Sequence, residues 1–357
     1  MPTLSTPQPA RHPAPTVQAQ GLAYLIFERP DLDEALRFLT DFGLSEASRD
    51  EQTLFLRGTG SAPFCYVVQR GESPRFSGFG LTVGSRDDLA RLAALSGATT
   101  LSRSTWPGGG DVVALTDPSG FTVHAICGQQ SVEPLAHRAP LVVNAPDLIS
   151  RVNAGQRAPA QPPEVIRLGH LALGVADYQA TSAWYTQHFG FIPSDVQVLP
   201  DGSPAVAFMR LDLGAVPADH HTLAIAQSFV AELNHAAFEV VDPDAVGMGQ
   251  RVLRERGWKH AWGIGRHILG SQIFDYWEDA WGDRHEHYCD GDRFTASEPT
   301  GVHAASRESM AQWGQAMPAS FTRPKPSWAN IKALLHSLRH SPDVTLAKMI
   351  TLMRTFG

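Results

Sequence analysis

Cysteine is scarce in this chain. Cys65, Cys127 and Cys289 are the full set; they lie far apart and form no CxxC pair. That argues against a disulfide framework and points to reduced thiols in the cytoplasm. Basic clusters are missing as well. The net charge of -7 is spread along the chain without a Lys/Arg block, which argues against nucleic acid or an anionic membrane surface as partner. No apolar run approaches the roughly 20 residues needed to cross a bilayer. The opening MPTLSTPQPARHPAPTVQAQ has no signal-peptide core and is expected to be a flexible segment over 1–18.

What is present is a globular composition and an excess of histidine. Hydrophobic residues make up 43% of 357 residues and charged residues 18%, enough for two domains with substantial cores. Fifteen histidines are too many to be chosen by count; position has to select among them.

The chain repeats itself. Residues 21–44 run from an apolar β-type segment through Asp31, a fitting N-cap, into a helical pattern that exits at Gly43. Strand patterns follow at 53–56, 64–69 and 79–83, a helix at 86–95, then strands at 112–116 and 121–126 around a turn at Gly120. Residues 166–191 restart the series, with Asp177 before the helix and Gly190 after it. Strands at 205–212, 222–226 and 236–240, a helix near 244–256, and strands at 271–277 and 284–288 around Gly282 complete it. The expected fold is therefore α+β, built from tandem βαβββ modules in two domains. Residues 19–130 form a metal-free structural domain and 165–294 a catalytic one. A Pro/Ala-rich linker covers 131–164. An extension over 295–357 carries two amphipathic helices, near 328–339 and 344–354. Those helices are expected to dock on the body or on a sister subunit, with a lid over the site as the sharper reading.

Superposing the copies singles out three residues. His170 falls on the first strand of copy two, opposite Ala23 or Tyr24 of copy one. His235 corresponds to a position near Gly78, and Glu286 to His124. Two histidines and one carboxylate with open positions suit a non-haem Fe(II) oxygenase; copy one has no such set. On strand alternation Glu286 shares a face with Arg284 and Tyr288, whereas His285 and His287 face the other way as packing or surface residues. His221, in the polar run Asp219-His220-His221, reads from spacing alone as a surface residue. His220 is assigned no chemistry, on the expectation that strand neighbours face opposite ways.

The segments GHLALGVADY, HHTLAIA, LNHAAFEV, GRHILGSQIFDYW and WGDRHEHY resemble those of the type I extradiol ring-cleavage dioxygenases of the vicinal-oxygen-chelate superfamily, over roughly residues 20–294. The resemblance implies Fe(II) held by His170, His235 and Glu286 and O2 as co-substrate; Mn(II) suits the same donors. It implies His221, second in a His-His-Thr triplet, as acid–base residue, with Tyr276 and His267 beside the substrate. The implied substrate is a small aromatic diol, a substituted catechol or trihydroxylated ring, cleaved beside its two hydroxyls in aromatic catabolism. Ile268, Leu269, Phe274 and Trp277 suggest apolar surroundings for it, and the apolar tail suggests a homo-oligomer. A redox-neutral glyoxalase-like lyase or isomerase is the alternative; the His221, His267 and Tyr276 set argues against it. Bleomycin-binding members lack the ligand triad.

Overall fold

The structure is a computed structural model that describes residues 6–321 and 328–356, with only the backbone of residue 329. Two mixed sheets dominate it, one of eight strands and one of ten. Strand Ala19–Arg29 is central to the first. It pairs in parallel with Tyr66–Arg70 and antiparallel with Arg75–Val83. Strand Val165–Val175 takes the same place in the second, parallel to Leu223–Gln227 and antiparallel to Glu232–Val240. Each half is a pair of βαβββ modules, as the repeat predicts. The short strand Ser45–Arg49 and the strands Ile192–Val198 and Lys259–Arg266 complete modules whose other members are legible in the sequence. Ser45–Arg49 is polar and mostly exposed, so no apolar alternation marks it. Lys259–Arg266 is interrupted by Gly263 and Gly265, which weaken any strand signal.

Local chemistry accounts for the helix ends. Asp31 accepts from the backbone of Asp33 and Glu34 and starts helix Leu32–Asp41. Asp177 stands at the N-terminus of helix Tyr178–Phe189 without a side-chain cap bond, its carbonyl alone accepting from Thr181. Asp343, from the C-terminal tail, accepts the Gln179 N–H instead. Gly190 ends that helix at φ 71°, a left-handed conformation that glycine adopts without cost.

The halves are welded together. Their buried apolar residues form one continuous core. Arg29, 1% exposed, crosses the junction to Asp279 and Asp283 at 3.0 and 2.6 Å. Tyr185 donates to Asp117 at 2.8 Å. Gly43 sits at φ 106° with a hypothetical Cβ only 2.1 Å from the Pro163 carbonyl oxygen, so the seam tolerates no side chain there.

The structure adds detail at three of the expected boundaries. Residues 1–5 of the expected flexible segment lie outside the described residues; from residue 6 the segment runs along the second half, where Thr16 and Val17 bond the backbone of Gln187 and His188, Gln8 accepts from Tyr178 at 2.6 Å, and Arg11 pairs with Asp212. The second sheet continues past 294, recruiting Gly301–Ala304 onto Ile192–Val198 and Trp313–Gly314 onto Lys259–Arg266. The connecting segment is pinned at its start, where Arg138 makes two hydrogen bonds to Asp242. The tail helices run Trp328–His340 and Leu346–Phe356.

Candidate metal centre and substrate cavity

Register brings the selected residues into one row. Ala237 lies opposite His170 on one neighbouring strand and opposite Glu286 on the other. His235, two residues before Ala237, points to the same face of its strand. The outcome is a tight cluster: ligand atoms of His170, His235 and Glu286 all lie within 4.8 Å of one another. The Nε2 atoms of His170 and His235 stand 3.3 and 3.4 Å from Glu286 Oε2. The same register identifies Tyr24, not Ala23, as the counterpart of His170, because Tyr24 opposes Gly80 and Gly80 opposes His124. In the first half that row is closed: Tyr24 Oη and His124 Nδ1 bond at 3.0 Å under Phe64 and Trp106.

The electrostatics of the cluster fit a cation. Both Glu286 oxygens are sealed from solvent without a hydrogen-bond donor, a costly state for a carboxylate unless a cation completes it. Burial raises the Glu286 pKa, partly offset by His235, His267 and the nearby Tyr276 hydroxyl, whose hydrogen is directed to His267. Burial also pushes His170 and His235 down to about 3, so both imidazoles are neutral, as metal ligation requires. Asn234 Oδ1 lies 2.9 Å from His235 Nδ1; the amide oxygen accepts that N–H and leaves Nε2 free on the Glu286 side.

A cavity of about 360 Å³ opens over the cluster, lined by His170, His235, His221, His267 and Tyr276 together with apolar side chains. His267 Nδ1 donates to the Met310 carbonyl at 2.8 Å, so its bare Nε2 accepts from the Tyr276 hydroxyl at 2.9 Å. The two residues expected to act separately on substrate are thus joined in the free protein. Burial, then the charge of Glu286, holds the Tyr276 phenol well above its ordinary range, so it stays protonated. Burial pulls His221 well below its ordinary value and His267 downward as well.

Several residues fall elsewhere than expected. Of Ile268, Leu269, Phe274 and Trp277, only Leu269 lines the cavity. Ile268 is exposed, Phe274 stacks behind His267, and Trp277 turns away to bond Asp275. His285 and His287 face away from the metal cluster, and of the two expected roles, packing or surface, both take the packing one. His285 meets the Tyr66 hydroxyl at 3.0 Å and His287 the Phe42 carbonyl at 2.6 Å, both in the junction between the halves. His220 is not outward-facing either. It precedes strand Leu223–Gln227, outside regular alternation, and its Nδ1 lies 2.9 Å from His221 Nδ1. The tail lines the cavity with Met310, Met317, Phe321, Leu352, Met353 and Phe356, a covering position that the lid reading of its helices anticipates without naming these residues.

A model of the Glyoxalase/Bleomycin resistance protein/Dioxygenase superfamily matches residues 167–284, the half that carries the cluster. Metapyrocatechase 2 of Cupriavidus necator is 30% identical over 320 residues, spanning 88% of this chain and 94% of that protein. The chain belongs to the type I extradiol ring-cleaving dioxygenases. Another extradiol dioxygenase, an iron-dependent one of Rhodococcus jostii, is 25% identical over 76% of the chain and 89% of its own length. The extradiol fold is matched by homoprotocatechuate 2,3-dioxygenase of Arthrobacter globiformis, with a TM-score of 0.72 at 22% identity over 90% of this chain and 95% of that one. A Mn(II)-bound glyoxalase of Novosphingobium aromaticivorans shares the fold equally, with a TM-score of 0.72 at 21% identity over 87% of this chain and 96% of that one. No helix among the described residues is long and apolar enough to cross a membrane.

Proposed function

We propose that this extradiol dioxygenase uses Fe(II), held by His170, His235 and Glu286, to cleave an uncharged substituted catechol or trihydroxylated ring beside its two hydroxyls. O2 is the co-substrate and both its atoms enter the product. The observation that carries this is the convergence of two neutral imidazoles and one donor-starved carboxylate on an apolar cavity. A ferrous ion held by these three residues would supply the redox chemistry that couples the diol to O2; Mn(II) accepts the same ligands.

The chain's own groups handle protons and orientation. His221 at the cavity wall takes the proton of the second hydroxyl and later returns it to the cleaving oxygen. Tyr276 and His267 act as a bonded pair, presenting the phenol oxygen to the substrate while the Met310 carbonyl fixes the imidazole tautomer. The tail residues Leu352 and Phe356, both mostly buried, exclude water from one wall. Among the described residues the lining includes Glu232 and no Lys or Arg, which disfavours a carboxylated ring and supports an alkyl or aryl substituent. The protein acts as a homo-oligomer, its association supported by the exposed apolar side chains Val143, Leu148, Ile149 and Val152 of the connecting loop.

The test is anaerobic Fe(II) loading followed by addition of 18O2 and a catechol panel that includes 3-alkyl, 3-aryl and carboxylated members. The expected result is O2 uptake, a new visible absorbance and a product heavier by two 18O atoms, with the uncharged rings preferred. Iron-loaded protein that turns over no diol sinks the dioxygenase reading. Conversion of a substrate without oxygen gain supports a redox-neutral, glyoxalase-like reaction instead.

A further inference from the structure

His221 is one end of a buried array. Its Nδ1 lies 2.9 Å from His220 Nδ1, and His220 Nε2 lies 2.7 Å from Asp195 Oδ2. The other oxygen of Asp195 lies 2.7 Å from His303 Nε2. His220 is 1% exposed, while the His303 side chain is 43% exposed, so the array runs from the cavity wall to solvent. The backbone is shaped to admit it. Gly301 opposes Asp195 in register, and a Cβ there would stand 2.0 Å from Asp195 Oδ1 and 2.6 Å from His303 Nε2. A Cβ on Gly270 would stand 2.9 Å from His220 Nδ1.

The hydrogen positions follow from donor and acceptor inventory. Burial alone would raise the Asp195 pKa, but hydrogen bonds from His220 and His303 outweigh it and hold the group ionised. An ionised carboxylate only accepts, so the Nε2 atoms of His220 and His303 both carry hydrogen. A neutral His220 then has a bare Nδ1, which accepts from His221 Nδ1–H. That leaves the lone pair of His221 on Nε2, which has no hydrogen bond to the described residues.

We propose that Asp195, acting through His220, is a positioning residue that selects the His221 tautomer with hydrogen on Nδ1 and a free Nε2. This rests on the reading of His221 as the base for the diol. Without the array the imidazole also samples the opposite tautomer, whose Nε2–H is unable to accept a proton. The logic is that of a carboxylate that orients a catalytic histidine without touching substrate. His303 holds the far oxygen of Asp195 and keeps the carboxylate turned toward His220.

Paired substitutions at 220 separate this role from space filling. His220→Asn keeps an acceptor near the former Nδ1; His220→Leu keeps comparable bulk without one. His220→Leu and Asp195→Asn are expected to lower kcat roughly 100-fold, the scale of a disabled general base, with KM and iron content little changed. His220→Asn is expected to stay within about tenfold of the parent. Equal losses in His220→Asn and His220→Leu overturn the proposal. An independent readout is the imidazole 15N spectrum of the metal-free, histidine-labelled protein. The expected spectrum shows His221 protonated on Nδ1, shifting toward Nε2 in Asp195→Asn; a parent spectrum with the hydrogen on Nε2 overturns it. If the parent cleaves no diol, the functional reading fails, and the 15N spectrum still decides the tautomer.

Discussion

Glu286 carries a conflict between folding and function. A carboxylate with no exposed surface and no hydrogen-bond donor is a cost the metal-free fold bears by itself. Its replacement by an apolar residue therefore removes a penalty together with a ligand. Glu286→Leu is expected to abolish iron retention while making the metal-free protein more stable by about 1–3 kcal/mol, the scale of an unsatisfied buried polar group. Calorimetry of chelator-treated parent and variant, beside metal analysis, checks both halves; a destabilised variant that still binds iron contradicts the assignment. His235 bears less of this conflict, because burial keeps it neutral and Asn234 bonds its Nδ1, whereas the buried Nδ1 of His170 has no hydrogen-bond partner. The three residues were legible in sequence because the repeat placed unlike residues at like positions. His220 was not, since its value depends on Asp195 and His303, which come from distant strands, and on a connection outside strand alternation.

Among the elements, the modules were legible wherever apolar alternation or a cap marked them, as at Asp31 and Gly190. Ser45–Arg49 was hidden by its polarity, and Gly301–Ala304 by its isolation in irregular chain. The cavity walls were legible only as one of two readings of the tail helices, because periodicity gives a helix its apolar face but not the surface it covers. Helix Leu346–Phe356 turns Leu352 and Phe356 toward Trp262 and Phe321, while Leu346 remains exposed. The connecting loop is the opposite case, with Val143, Leu148, Ile149 and Val152 facing solvent and only backbone and polar groups holding its shape. A contact with a second copy is the expected cover. Ile149→Asp is expected to shift the protein to a smaller species in sedimentation analysis with the iron site intact; an unchanged sedimentation coefficient removes the loop from the interface.

At the scale of the whole molecule, the junction between the halves makes the fold sensitive to acid. His285 and His287 have no exposed surface there, and burial lowers their pKa values to about 3 and about 4. The unfolded chain takes up these protons near pH 6.5, so below that value it binds more protons than the folded chain. Stability is therefore complete above about pH 6.5 and falls as pH drops through the window toward 4, by up to about 1.4 kcal/mol per pH unit for each histidine. Urea midpoints at pH 7.5, 6.0 and 5.0 are expected to decline, and His285→Phe to flatten the decline by close to one proton. A pH-independent midpoint would contradict this account of the junction. The first half, meanwhile, constrains the history of the molecule. Where the second half has His235, it has Gly78, and a Cβ there would strike the Thr122 carbonyl oxygen at 2.0 Å. Side-chain substitution alone thus has no route to a second centre, because the obstacle is main chain. The duplication has become a ratchet, and the described residues bring together a single cluster of this kind.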